Sequence, residues 1–371
     1  MFDRRAVVGA IAAGPLLGLA ARAVAGARAG GDAALAEVMA AEAPPPALAG
    51  AVVTADGFDW RGVAGVRRAG DEAPATLDDL WHLGSNTKAM TSALYARLVE
   101  QGRARWGATV PELFPDLTID PSWTTITVEQ LMAHRSGLVD ARALGLSWLI
   151  RARTDERSLP AQRTALAEAV LAAPPTGETG TFSYSNGGYT LIGAAIERIT
   201  GQSWEEAINA ELFVPTGITS AGFGAPRGDQ PWGHMSTPTT RPQPVDPDGV
   251  SDNPQAMAPA GTAHMTLDDY ARFVRLFLTD GGGVLSPHSV RRLTTPDEGA
   301  EYALGWIVRP QAWAQGPVLA HEGSNTMWHA FVAIAPELGL GIVTLSNDHG
   351  RGGPACTALA RGLIGAYAGP A

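Results

Sequence analysis

Lysine is all but missing: Lys88 stands alone among 27 cationic residues, and every other one is arginine. A drift towards arginine would have taken Lys88 as well unless its site needs an amine. Arginine stays charged at any working pH, whereas burial and neighbours shift a lysine ammonium. Cysteine is equally scarce. Cys356 as the sole thiol excludes an internal disulfide and a thiolate zinc cluster, and it is expected to be a packed residue. No H-E-x-x-H, metal-spaced histidine cluster or G-x-S-x-G elbow occurs, so no metal or other cofactor is expected. Clustered basic residues are absent from a chain of net charge −10, which argues against nucleic acid or an anionic membrane as partner.

At the N-terminus, Asp3-Arg4-Arg5 precedes the apolar run Ala6 to Ala21, and Ala23-Val24-Ala25 offers small residues for cleavage. Residues 1–25 are therefore expected to be an export signal of twin-arginine type, with a periplasmic or secreted mature protein. Removing them takes away Arg4, Arg5, Arg22 and Asp3 and moves the net charge to −12. No later apolar run is long enough to span a bilayer.

Lys88 lies three residues after Ser85, so the two share one helix face about one turn apart. Ala89, Met90, Ala93, Leu94 and Leu98 form the apolar stripe of that helix, and Gly102 ends it. Ser85 at the N-terminus reads either as a cap or as a nucleophile whose developing charge the helix dipole favours. The loss of every other lysine favours the second.

Strands are expected at Ala49 to Ala55 and Phe58 to Val66 around Asp56-Gly57. Capping boxes Thr127/Gln130 and Ser203/Glu206 open helices, and others run from Pro160, Gly187 and Thr266. Tyr302 to Val308, Val318 to His321, Trp328 to Ile334 and Leu340 to Leu345 read as an antiparallel meander, closed by a helix from Pro354 to Tyr367. Residues 222–261, rich in Pro, Gly, Asp and Thr, read as a long loop. Strands at both ends with helices between imply an α/β chain: a sheet domain from 30–85 and 262–371, and a mostly helical insert, 86–261.

A nucleophilic serine needs a base and oxyanion donors. Two short runs fit: Tyr184-Ser185-Asn186 before a helix, and His321-Glu322-Gly323-Ser324 at the end of a strand. Ser85-x-x-Lys88, Tyr184-x-Asn186 and His321-x-Gly323, in this order, resemble the three motifs of the class C β-lactamase family, which includes D-Ala-D-Ala carboxypeptidases, D-aminopeptidases and serine esterases. The resemblance extends from about Ala49 to Asn347 and implies a β-lactamase/transpeptidase-like fold, with an antiparallel sheet flanked by terminal helices. It also implies that Ser85 forms an acyl-enzyme while Lys88 holds the Ser85 and Tyr184 hydroxyls. Tyr184, its pKa lowered by nearby positive charge, is the implied base. Asn186 would bond Lys88 and substrate, and the N–H groups of Ser85 and Ser324 would form the oxyanion hole. His321 and Gly323 complete the implied substrate strand. Read singly, Tyr184 could be packing, Asn186 the cap of the Gly187 helix, and His321 a core residue.

Members with β-lactamase or carboxypeptidase activity usually carry Lys-Thr-Gly as the third motif. His321 and Glu322 occupy those places, and neither suits a substrate carboxylate. The expected partner is a small ester, amide or peptide-like molecule lacking that carboxylate. The alternative is a penicillin-recognising sensor that acylates without turnover.

Overall fold

A computed structural model describes residues 28–237 and 239–368. The expected export signal lies outside them.

Alternating side chains organise the central sheet. In β1 (Ala47–Thr54), Leu48 and Val52 face one way and Ala47, Ala49, Ala51 and Val53 the other, and both sets are buried. A strand buried on both faces belongs in the interior of its sheet. β2 (Gly57–Gly65) returns beside it through the turn at Ala55-Asp56, as the hairpin signal implies. The rest of the sheet comes from the far end of the chain: β8 (Ile307–Pro310), β9 (Pro317–Ser324), β10 (His329–Ala335) and β11 (Leu340–Ser346) form the meander. The order is β2-β1-β11-β10-β9-β8, with antiparallel pairing throughout.

On one face lie helices 28–39 and Gly352–Tyr367, packed on Leu48, Val52, Trp60 and Ile342 through Ala34, Leu35, Leu359 and Leu363. Cys356 is in this layer, and burial pushes its thiol up to about 12, which keeps it protonated and inert. The opposite face carries the larger core and the helices between the sheet segments, among them Thr87–Glu100, Asn186–Thr200 and Leu267–Arg275.

Two features add to the sequence reading and one expectation needs correction. Residues 222–261 are mostly irregular but carry β4 (Gly222–Phe223), a hairpin of β5 (Gly233–Met235) and β6 (Gln243–Val245), and helical turns from Gln255 to Gly261. Long-range contacts hold them, such as His234 N–H to the Met327 carbonyl at 3.0 Å, and these leave no sequence period. A small second sheet, β3 (Leu80–His82), β7 (Ala263–Thr266) and β4, joins that region to the residues before Ser85. Finally, Tyr302 makes only an isolated bridge to Ile307, so the paired strand begins later than expected.

Candidate active site

The Ser85 turn is held by its neighbours. Leu83 N–H bonds the Ala263 carbonyl at 2.8 Å, and the Thr87 hydroxyl donates to the Gly84 carbonyl at 2.7 Å. Gly84–Asn86 is a 3-10 turn that runs into the Thr87–Glu100 helix, and no side chain caps either element. Ser85 is therefore not a cap, and its half-buried hydroxyl is free for chemistry.

Lys88 is fully buried. Its Nζ donates to Ser85 Oγ at 3.1 Å, Asn186 Oδ1 at 2.8 Å and the Ala260 carbonyl at 2.6 Å. Burial lowers its pKa to about 7, against an opposing pull from the Asp140 charge. Near neutral pH a large fraction of Lys88 is thus an uncharged amine beside the serine hydroxyl.

Asp140 carries no sequence signal, yet it organises the second motif. Its carboxylate accepts from Ser185 Oγ at 2.7 Å, Asn186 N–H at 2.8 Å, Asn186 Nδ2 at 2.9 Å and Gly187 N–H at 2.9 Å. By holding Nδ2, it turns the amide oxygen of Asn186 towards Lys88. The cap of the Asn186–Thr200 helix is Ser185, whose Oγ accepts from Gly188 N–H at 3.0 Å, so Asn186 is left for Lys88.

Tyr184 stands beside Ser85, and 39 % of the residue is exposed. The structure overturns the expected depression of its pKa. Desolvation raises it well above 10, the neighbouring Ser85 hydroxyl offsets only part of that, and the Asp140 charge adds to the rise. Lys88 Nζ lies over the ring at 4.7 Å, meeting its π face rather than holding its hydroxyl as expected. Behind the ring stands His134, 4.4 Å from it between centroids, which sequence reasoning left without a role. Its Nδ1 accepts the Ser185 N–H at 3.1 Å. Burial, with Lys88 and His321 nearby, holds it well below the usual histidine range.

The third motif ends β9. β8 pairs with β9 only as far as Ala320, so the edge of His321–Ser324 opposite β10 has no strand partner among the described residues. Gly323 presses this edge against the nucleophile turn: a Cβ there would stand 1.9 Å from the Leu83 carbonyl and 2.9 Å from Ser85 N. Gly84, at φ +50°, leaves no room either, since its Cβ would fall 2.2 Å from Ser324 N. The backbone segments at Ser85 and Ser324 are thereby packed against each other. The Ser324 hydroxyl points elsewhere, donating to the Trp328 carbonyl at 2.6 Å beside His349 Nδ1 at 2.8 Å.

His321 is buried beneath the strand, with both nitrogens occupied: Nδ1 bonds the Glu322 carbonyl at 2.7 Å and Nε2 meets the Tyr302 hydroxyl at 3.0 Å. Desolvation, helped by the Lys88 charge, lowers its pKa to about 3, so it is neutral at working pH. Its buried ring supports the edge from beneath. Glu322 is exposed on the opposite face, as alternation implies. A groove of about 1260 Å³ passes Phe182, Tyr184, Tyr302, His321 and Glu322. Nearby, Trp328 stacks on His82, and Tyr189 is buried, its hydroxyl donating to the Met132 carbonyl at 3.0 Å. His234 Nε2 accepts Ala69 N–H at 2.9 Å, away from the site. Among the described residues no group of three or more His, Cys, Asp or Glu could hold a metal ion, and no helix is long and apolar enough to cross a membrane.

Comparison with known proteins agrees with this geometry. The family described as Beta-lactamase matches residues 32–366. Penicillin-binding protein 4 of Amycolatopsis lactamdurans is 28 % identical over 350 residues, covering 88 % of this chain and 86 % of its own. Among solved structures, EstCE1, a hydrolase with promiscuous acyltransferase activity, superposes with a TM-score of 0.74 at 17 % identity, over 94 % of this chain and all of its own. A D-stereospecific amidohydrolase from Streptomyces sp. does so with a TM-score of 0.68 at 22 % identity, over 92 % and 98 %. With the family match spanning nearly the whole chain, and Ser85 and Lys88 in bonding contact, the protein belongs to the β-lactamase family of serine hydrolases.

Proposed function

We propose that this protein is an exported serine hydrolase that opens an uncharged ester or amide through a Ser85 acyl-enzyme. The observation that carries the reading is the buried Lys88 amine, 3.1 Å from Ser85 Oγ with a pKa of about 7. As Oγ bonds to the substrate carbonyl carbon, neutral Lys88 takes the hydroxyl proton, and the N–H groups of Ser85 and Ser324 hold the oxyanion. Lys88 returns the proton to the leaving oxygen or nitrogen as its bond to carbon breaks. Tyr184 stays protonated and donates a hydrogen bond to that leaving atom, in place of the base role expected from the resemblance. Water then attacks the acyl carbon and gives a proton to Lys88, and Lys88 passes that proton to Ser85 Oγ as the ester C–O bond breaks, which frees the acid and restores Ser85 and the neutral amine.

The free edge of β9 can pair with a peptide-like acyl chain. Neutral His321 and the exposed Glu322 carboxylate supply no cation for a substrate carboxylate. That favours esters and amides over penicillins, in keeping with a relative named unguisins hydrolase from Aspergillus campestris and with the amidohydrolase neighbour. Export rests on Arg4-Arg5 and the small residues at Ala23 to Ala25, and N-terminal sequencing of protein recovered outside the cytoplasm tests it.

A panel of p-nitrophenyl esters, D-amino-acid amides and a chromogenic cephalosporin, against wild type and Ser85→Ala, tests the whole reading. Ester or amide turnover that Ser85→Ala abolishes is expected, with a transient acyl adduct in the intact mass. Fast cephalosporin hydrolysis without esterase activity refutes the substrate assignment. A penicillin adduct that persists without product makes the protein a sensor instead.

A further inference from the structure

The two backbone donors assigned to the oxyanion come from opposite ends of the chain, and one buried carboxylate touches both segments. Asp252 Oδ2 lies 2.8 Å from His82 Nε2, and Oδ1 accepts from Asn325 Nδ2 at 2.9 Å. His82 passes the contact to the nucleophile turn, since its Nδ1 accepts Gly84 N–H at 3.1 Å. That bond places the imidazole proton on Nε2, where it donates to Asp252. Asn325 directly follows Ser324, and its Oδ1 accepts the N–H groups of Met327 at 3.1 Å and Trp328 at 3.2 Å. Asp252 is itself anchored: Arg153 bonds its carbonyl at 2.6 Å, and Asn253 N–H donates to Oδ1 at 2.7 Å. His82, Asn325 and Asp252 are 1 %, 5 % and 9 % exposed, so water offers little substitute for a lost partner.

We propose that Asp252 is a positioning residue that sets the spacing between the Ser85 and Ser324 N–H groups, through His82 on one side and Asn325 on the other. The inference rests on the acyl-enzyme reading of the site. A buried carboxylate is costly unless each oxygen is bonded, and charge-assisted bonds resist stretching more than neutral ones. Displacing the His82 segment leaves Oδ2 without a donor and displacing Asn325 leaves Oδ1 with Asn253 N–H alone, so the carboxylate opposes both closure and opening of the gap. Oxyanion donors act only at the correct distance from the oxygen that develops charge. The benefit therefore falls on the transition state rather than on the bound substrate.

The test compares wild type, Asp252→Asn, Asn325→Ala and the exchanged pair Asp252→Asn/Asn325→Asp, using a p-nitrophenyl ester and phenylboronic acid, which adds to the serine as a tetrahedral anion. Asp252→Asn puts an amide NH₂ against at least one of the three N–H donors, those of His82, Asn325 and Asn253. It should lower kcat about tenfold to a hundredfold, on the scale of one misplaced oxyanion donor, with KM changed less than about twofold. Boronate affinity should fall in step with kcat, and Asn325→Ala should behave alike. The exchanged pair restores a carboxylate and an amide facing each other and should recover most of the loss. Unchanged kcat in Asp252→Asn overturns the inference. So does a kcat loss without weaker boronate binding, or one that follows loss of folded protein and is not repaired by the exchange. An inactive wild type, or a Ser85→Ala variant that keeps its activity, overturns the acyl-enzyme reading and this inference with it.

Discussion

Replacing Lys88 by methionine separates its chemical role from its electrostatic cost. Burial takes its pKa from 10.5 to about 7. Between those values the unfolded chain holds a proton that the folded chain has released, so folding becomes more favourable as pH rises through that window and is least favourable below about 7. The slope is about 1.4 kcal/mol per pH unit, or about 5 kcal/mol over the whole window. Lys88→Met lacks this term, and it also frees His134 and His321 from the Lys88 charge, two groups held below this window mainly by burial. The variant also leaves Asn186 Oδ1 and the Ala260 carbonyl without their donor, which shifts its stability by an amount nearly independent of pH. Urea unfolding of both proteins at pH 6, 7.5 and 9 isolates the difference. From pH 7.5 to 9 wild type should gain about 2 kcal/mol on the variant, and below pH 6 the two should run parallel. A constant gap across the range would mean that Lys88 keeps its ordinary pKa, and the neutral-amine base would fall with it.

The same pKa appears in the kinetics: kcat/KM for ester cleavage should rise about tenfold from pH 6 to pH 8 with a midpoint near 7. Lys88→Arg should be inactive at every pH in that range, as a stopped-flow pH series would record. Asp140→Ala removes four hydrogen bonds and frees the Asn186 amide to turn. A loss of about 2–4 kcal/mol in chemical denaturation is expected, with a lower kcat. Gly323→Ala drives a methyl into the Leu83 carbonyl and should abolish turnover by parting β9 from the Ser85 turn, which a Ser85→Ala-like loss with retained circular dichroism would show. Arg163 is fully buried between Glu197 and Glu205, and Arg163→Leu should cost about 3–5 kcal/mol in the same unfolding assay.

Much of the local structure was legible. The capping boxes at Thr127/Gln130 and Ser203/Glu206 form as their spacing implies, and Thr266 caps the Leu267–Arg275 helix. These features depend on residues three or four apart, which is the range over which sequence spacing carries information. The Pro287–Thr294 helix went unread although Ser286 before Pro287 is a start signal, because its run is short. The small sheet of β3, β4 and β7 was illegible for another reason: strands of two to four residues are too short to show a period.

By itself the sequence singled out an amine at Lys88, a serine one helical turn away and two further motifs in a recognisable order, since residue identity and spacing need no partner from elsewhere. Protonation was decided by tertiary structure alone. Desolvation is a property of the surroundings, so only the fold could make Lys88 a near-neutral amine and keep Tyr184 a phenol. The fold alone likewise brought Asp140 to Asn186 and Asp252 between His82 and Asn325, because hydrogen bonds across such chain separations leave no pattern in the residues that make them.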